Sequence, residues 1–353
     1  MSSLNARISQ WSGCAAAQRL LFSLIVMGLV VSLPAWGQIN SLTKEEMIKY
    51  TAANPYDRFP DGRPKVPDAL LEQFKDMASE ELMSAGRGGA GGGGGAAPAG
   101  RGGAPAAQGG AAAAGRGGGA AAAGRGAAGG GGAGSNQFTD GWQVLHPGKK
   151  LIGRAVTLQL MPTRADVASV DSAEWRAKGN TGALNHQQAL DVLQPGDVIV
   201  IDAFGSLAAG GIVGDNLAYY IWKKTGTGFV IDGAIRDLEG ISNFDMPGYY
   251  RWATPPAISG LMVTGINVPI RIGNTTVMPG DVVFGDREGV NFIPPQAVQR
   301  LLDEAKITHI HDEWTRKKFD EGKYKSTDIY SRPSDHALLQ EYNEYLKQRL
   351  AGK

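Results

Sequence analysis

Cysteine is almost absent: the chain of 353 residues holds one, Cys14. A disulfide framework and a cysteine-based zinc site are excluded, and so is a cysteine nucleophile once the first 37 residues are removed. Acidic residues are missing from two regions. Neither residues 1–37 nor residues 85–134 contain Asp or Glu, yet Arg7 and Arg19 lie in the first and Arg87, Arg101, Arg116 and Arg125 in the second. Setting both regions aside turns a formal net charge of +1 into an acidic excess, 29 basic against 34 acidic residues. That balance argues against general nucleic-acid binding by the folded part. The second region also lacks aromatic and β-branched residues. Its 50 positions hold 24 Gly, 19 Ala, 4 Arg, 2 Pro and 1 Gln, too little apolar side chain to offset the entropy of ordering the chain. Gly does not recur at every third position, which excludes a collagen helix. Residues 85–134 therefore read as a low-complexity insertion, a flexible linker or surface loop. The Arg-Gly-Gly triplets at 87, 101 and 116 can bind RNA where aromatic residues interleave, but here the spacers are Ala.

The apolar run Leu20–Leu33 is 14 residues long, short of the roughly 20 that span a bilayer. Arg7 and Arg19 precede it, and small residues, Ala35 and Gly37, flank Trp36 after it. This is the order of a secretory signal peptide, residues 1–37, with an uncleaved N-terminal anchor as the alternative. The expectation is an exported chain, periplasmic or secreted, with no stable membrane insertion once the leader is gone.

Residues 38–84 read as an N-terminal helical, surface-rich segment. Ser41-Leu-Thr-Lys-Glu-Glu offers an N-cap followed by acids. Asp57–Pro67 reads as a loop. Leu70, Leu71, Phe74, Met77, Leu82 and Met83 fit an amphipathic helix over 68–84. Beyond the insertion, Leu151–Leu160 suits a buried strand, Ala183–Leu193 a helix, Val198–Ala203 a strand and Gly205–Gly214 a Gly-rich loop. Asp215–Lys224 reads as a helix ended at Gly226, and Gly228–Asp232 as a strand. Strands alternating with helices imply an α/β domain. The Gly-Asp turns around Val282–Phe284 and Phe292-Ile293 point to added β structure. Helical periodicity follows over 296–319 and 334–350.

Two pieces could carry chemistry. Gly214 joins a strand to the helix Asp215–Lys224, whose first amide groups, through Asn216 and Leu217, lie where helix donors lack partners. Such a terminus suits a carboxylate or phosphate, and it equally suits a tight structural turn. Arg236-Asp237 follows an apolar strand, at the carboxyl end where ligands gather in α/β sheets; an ordinary surface ion pair is the other reading. Other chemistries find no motif. The glycines after strand 198–203 do not spell a dinucleotide fingerprint, and Gly205-Ser206-Leu207 is not a nucleophile elbow. Five His are present: His146, His186, His309, His311 and His336. His309 and His311, two apart on an expected helix, point apart and read as a solvated face rather than a metal pair.

The pattern Gly214-Asp215-Asn216-Leu217, Asp232-Gly-Ala-Ile-Arg236-Asp237, Pro279-Gly280-Asp281 and Gly285-Asp286-Arg-Glu-Gly-Val290 resembles the RraA-like family, over about residues 138–320. That family includes class II 4-hydroxy-4-methyl-2-oxoglutarate aldolases that also decarboxylate oxaloacetate. Residues 39–84 with Gly141-Trp142 resemble a secreted subgroup. The resemblance implies an α/β fold, a β/β/α swivelling-type sandwich over 135–320, with the helical segment 38–84 before it, the block 85–134 inserted and a helical tail over 321–353. It implies a homotrimer or hexamer acting on a small 2-oxo carboxylic acid through a pyruvate enolate. It implies that Asp237 binds a divalent metal, Mg²⁺ or Mn²⁺. It also implies that Arg236 binds substrate oxygen, that Asp215 positions a water, and that the Asn216 and Leu217 amides hold the substrate carboxylate beside Gly214. Glu313 matches loosely an acid that neighbouring subunits contribute. The alternative is a non-catalytic ligand- or protein-binding member of the same fold.

Overall fold

The computed structural model describes residues 41–86, 137–177 and 185–352. The expected leader, residues 1–37, and all but the first two residues of the block 85–134 lie outside the described residues.

The described chain begins with α1 (Lys44–Tyr50), α2 (Asp68–Gln73), a 3-10 turn (Phe74–Asp76) and α3 (Ser79–Gly86). Next come β1 (Gln137–Thr139), β2 (Gln143–Val144), β3 (Leu151–Pro162), α4 (Ala165–Ala177) and α5 (Gln187–Asp191). The centre is β4 (Asp197–Val213), α6 (Asp215–Thr225), β5 (Phe229–Ile235), α7 (Leu238–Ser242) and β6 (Gly248–Ala253). Short strands follow: β7 (Leu261–Ile266), β8 (Ile270–Ile272), β9 (Thr275–Val277), β10 (Val282–Gly285) and β11 (Val290–Ile293). The chain closes with α8 (Val298–Asp320), α9 (Ser326–Ile329) and α10 (His336–Ala351).

Nine strands form one sheet in the order β1-β11-β10-β3-β4-β5-β6-β2, with β7 also beside β3, and β8 pairs with β9. β3, β4, β5 and β6 run parallel, in a register that aligns Thr157, Val200, Val230 and Tyr249. Strands buried on both faces read as continuous apolar runs, and Val198–Ile201 and Phe229–Ile231 do so. Alternate side chains serve opposite faces. Val156, Leu158, Ile199, Ile201 and Ile231 share a core with Leu190, Ala218, Ile221 and Ile241 from α5, α6 and α7. Ala155, Val198, Val200 and Val230 pack with Ile270, Ile272 and Val277 of the β8–β9 hairpin.

Several expectations change. Residues 41–86, read as helical and surface-rich, also reach into a core: Val66, Phe74 and Leu82 are buried with Val282, Phe284, Val298 and Leu301. The helix expected over 68–84 is broken, because Met77 is extended and Ser79 donates from its amide and hydroxyl to Asp286 at 2.7 and 2.8 Å. The cap of α1 is Thr43, with Glu46 completing a capping box. β4 runs on through the segment expected to be a loop, because after a break Ser206, Gly211 and Val213 pair again with Gly233, Ala234 and Ile235. The helix expected from 183 is the short α5, with 183 and 184 outside the described residues. α4 had no counterpart in the sequence reading. The C-terminal tail folds back on α8, where Trp314 packs with Leu338 and Tyr342.

The Pro279-Gly280-Asp281 turn carries a buried carboxyl. Asp281 is 2% exposed, its Oδ2 accepts from the Met278 amide at 2.8 Å, and burial raises its pKa to about 7. The unfolded chain releases this proton near pH ~4, so the folded state holds it more tightly. The stability this contributes is full below about pH 4 and is lost as pH rises through about 7. Asp281→Asn keeps an acceptor for Met278 and cannot ionise. It is expected to unfold at higher urea than the native chain at about pH 8 and to lose that advantage by about pH 4. An equal difference at both pH values would contradict this.

Candidate active site

The buried run of β5 ends at Ile235, and the next two residues turn outward. The Arg236 amide donates to the Val213 carbonyl at 3.0 Å, which ties the end of β5 to the end of β4. Asp237 is left-handed (φ 57°, ψ 39°) and precedes α7, whose Ile241 amide donates to its carbonyl at 3.0 Å. Asp tolerates this conformation better than most residues. The turn leaves both side chains part-exposed, 40% for Arg236 and 38% for Asp237, with Nε 3.4 Å from Oδ2.

Val213 ends β4 and Gly214 starts α6 with an extended backbone (φ −107°, ψ −175°). Close approach, not dihedral angle, favours glycine here. A Cβ on Gly214 would lie 2.4 Å from Asp237 Oδ2 and 3.0 Å from Arg236 Nε, and one on Gly211 would lie 2.6 Å from Arg236 Cβ. The Gly-rich strand end thus lets Arg236 and Asp237 fold over the start of α6. Asp215 lies in the first turn, its Oδ1 accepting from the Asn216 amide at 2.7 Å. A Cβ on Gly240 would lie 3.0 Å from its Oδ2, so the carboxylate rests on α7. The Asn216 amide, expected to face a ligand, is therefore engaged by Asp215.

These residues border a pocket of about 260 Å³. Arg236 and the stretch Gly214–Leu217 line it together with Gly211, Ile212, Ala257 and Ile258, and with His186 and Gln187 at the start of α5. Asp237 is beside the pocket, next to Arg236. Glu313 is not in this wall: it lies on α8, where Arg349 donates to its Oε2 at 2.8 and 3.1 Å and holds its carboxyl below the usual range. His309 and His311 point apart as expected, His309 Nδ1 to Glu81 at 2.7 Å and His311 Nε2 to the Tyr330 carbonyl at 3.1 Å.

His186, Gln187, Ala257 and Ile258 were not singled out by sequence. Burial holds the His186 imidazole below its usual pKa, against a bond to the Ile212 backbone that pulls the other way. Its Nε2 is buried and has no hydrogen-bond partner among the described residues.

Fold and site together define an α/β protein with a small pocket at the carboxyl end of its parallel strands, between a helix N-terminus and an Arg-Asp pair. A family model described as Aldolase/RraA, of the RraA-like group, matches residues 130–291. A protein of Ectopseudomonas mendocina, named as a candidate 4-hydroxy-4-methyl-2-oxoglutarate aldolase, is 33% identical over 113 residues, 32% of this chain and 68% of that protein. The chain belongs to the RraA-like family. A protein of Halalkalibacterium halodurans with the same name is 37% identical over 126 residues, 36% of this chain and 60% of that one; the chain spans less than two thirds of its length. A solved structure of an uncharacterized protein from Pseudomonas syringae pv. tomato shares the fold at a TM-score of 0.50 and 18% identity, over 76% of this chain and 94% of that one.

Proposed function

We propose that this chain is a carbon–carbon lyase acting on 2-oxo acids, by aldol cleavage or decarboxylation through a pyruvate enolate. The observation that carries this is the placement of Arg236 on the pocket wall beside the first turn of α6, with the Asp237 carboxylate 3.4 Å from its Nε. The names of the aldolase relatives support the same class of reaction.

The donor set fits a hard divalent cation such as Mg²⁺ or Mn²⁺. Asp237 is one part-exposed carboxylate, and Mg²⁺ is commonly held by one or two carboxylates with waters and substrate oxygens in the remaining positions. No group of three or more His, Cys, Asp or Glu gathers among the described residues, so a protein-only cage is not the arrangement. Held by Asp237, the cation would supply Lewis acidity toward the carbonyl of the bound acid.

The chain's own residues do the rest. The start of α6 receives the substrate carboxylate, through first-turn amides other than that of Asn216, which Asp215 engages. Arg236 places fixed positive charge where the keto oxygen becomes an enolate oxygen. In aldol cleavage Asp215 takes the proton of the 4-hydroxyl through a water. The C3–C4 electron pair passes to the carbonyl, and C3 is protonated afterwards. In decarboxylation CO₂ leaves and the same enolate is protonated. The proposal extends to export through residues 1–37 and to assembly of several copies, for which the mass of the secreted chain and light scattering are the readouts.

The test follows pyruvate released from 4-hydroxy-4-methyl-2-oxoglutarate and from oxaloacetate with Mg²⁺ or Mn²⁺, after subtracting release by free metal. Chelator is expected to abolish release, and Asp237→Ala to lower it about 10²-fold or more. No metal-dependent release, or equal release from the variant, would sink the lyase reading and leave a binding protein of the same fold.

A further inference from the structure

The helix α7 runs for only five residues, yet the two carboxylates of the site meet at it. Asp237 precedes it, and the Ile241 amide donates to the Asp237 carbonyl at 3.0 Å. Asp215, in the first turn of α6, meets it at Gly240. A Cβ on Gly240 would lie 2.9 Å from Asp215 Cβ and 3.0 Å from its Oδ2, closer than side chains pack. Glycine weakens a helix relative to alanine, and the backbone at Gly240 has no positive φ that would call for it. What glycine supplies at this position is room for Asp215.

Of the two partners in this contact, α7 is the one that cannot retreat. Ile241, next to Gly240, is fully buried in the main core. Phe244, just beyond α7, stacks on Trp222 of α6 with centroids 6.1 Å apart. Asp215 is half-buried and is held through Oδ1 alone, by the Asn216 amide at 2.7 Å. A side chain at position 240 therefore turns the Asp215 carboxylate rather than moving α7. The contact lies between α6 and α7 of one chain, so every copy in an assembly carries it.

We propose, resting on the reading that this site cleaves 2-oxo acids, that Gly240 is a positioning residue: the room it leaves sets the Asp215 carboxylate where it can hold the water that takes the substrate hydroxyl proton. The two reactions of the site use Asp215 unequally. In 4-hydroxy-4-methyl-2-oxoglutarate the C3–C4 bond breaks only as the 4-hydroxyl gives its proton to that water and C4 becomes a carbonyl. The electron pair passes into the enolate, and C3 is protonated afterwards. In oxaloacetate C4 is already a carboxylate. CO₂ leaves, the same enolate forms and C3 gains a proton, but no hydroxyl proton has to be removed. A misplaced Asp215 therefore costs aldol cleavage and spares decarboxylation.

The experiment compares pyruvate release by the full chain from these two acids with Mg²⁺ present, after subtracting release by free metal. Gly240→Ala is expected to lower kcat for the hydroxy acid about tenfold or more and to hold kcat for oxaloacetate within about twofold. Asp215→Asn, which removes the carboxylate itself, is expected to lower release from the hydroxy acid about 10²-fold. Adding Gly240→Ala to Asp215→Asn is expected to cost nothing further, because two residues acting through one contact are not additive; a merely structural role would cost the same in both backgrounds. Asp215→Glu displaces the carboxylate by one methylene without touching α7, and it makes the same comparison of the two acids should Gly240→Ala not fold. No loss or equal losses from the two acids, or a full further loss on the Asp215→Asn background, overturn the positioning role and leave the lyase reading standing. Release from oxaloacetate alone by the native chain overturns the positioning role and leaves a decarboxylase. Release from neither acid overturns both readings.

Discussion

Arg236→Ala is expected to lower kcat for pyruvate release by about 10²–10³-fold, the usual cost of removing one fixed donor from a developing oxyanion. The side chain is positioned before any substrate arrives: its backbone is tied to Val213, and Gly211 and Gly214 leave the room it occupies. It therefore needs little rearrangement as charge builds on the keto oxygen. At 40% exposure its pair with Asp237 adds little to folding, and the melting temperature should hardly move. The division between kinetic constants is the informative readout. A residue that only anchored the ground-state carboxylate would raise KM and leave kcat in place; one that stabilises the enolate lowers kcat. Arg236→Lys keeps the charge but loses the planar fork, so it should fall between the native chain and the alanine variant. A pure KM effect in both variants would remove Arg236 from the chemical step.

Much of this site was legible because its parts are local. The apolar run before Arg236-Asp237 marks a strand end, and Gly214 and Gly226 bound the helix between them, so a few residues suffice to place each piece. The expected helix Asp215–Lys224 and the observed one, Asp215–Thr225, differ by a residue. Where the sequence misled, the deciding partner was distant in the chain. The amphipathic pattern over 68–84 is real, since Leu71, Phe74, Met77 and Leu82 are all buried, yet Asp286, 207 positions away, interrupts the helix at Ser79. Residues 205–213 are Gly-rich, and only β5 beside them makes them a strand again. His186 and Ile258 enter the pocket from α5 and the segment before β7, and no spacing in the chain relates either to Arg236. Apolar periodicity reports which face of an element is buried; it carries no information on which remote element covers it.

Arg63→Ala is expected to destabilise the whole protein by about 3–5 kcal/mol, because it strands a buried carboxylate. Arg63 and Asp197 are 1% and 0% exposed, and Arg63 donates to the two carboxylate oxygens at 3.3 and 3.1 Å. Burial alone pushes the Asp197 carboxyl up; the charge and hydrogen bonds of Arg63 oppose it, together with the Gln194 amide. Arg63 also bonds Asp61 at 2.8 Å and lies over the Phe59 ring, its Cζ 4.6 Å from the centroid. Beside it, Arg154 of β3 donates to the Val66 carbonyl at 2.8 Å and pairs with Asp68. Residues 58–68 are thus clamped onto the start of β3 and of β4, and the far end of β4 carries Gly211 and Ile212 of the pocket wall. Urea unfolding separates two views of this segment. An appendage would loosen on its own, leaving the midpoint of the main transition in place. An integral part of the core would move the single transition to lower urea. The double variant Arg63→Met/Asp197→Asn removes the buried charge and keeps an acceptor for Gln194, so it should recover part of what Arg63→Ala loses. Recovery of that kind would assign the loss to the unpaired Asp197 rather than to missing packing, and it would make residues 58–68 part of the domain that positions Arg236.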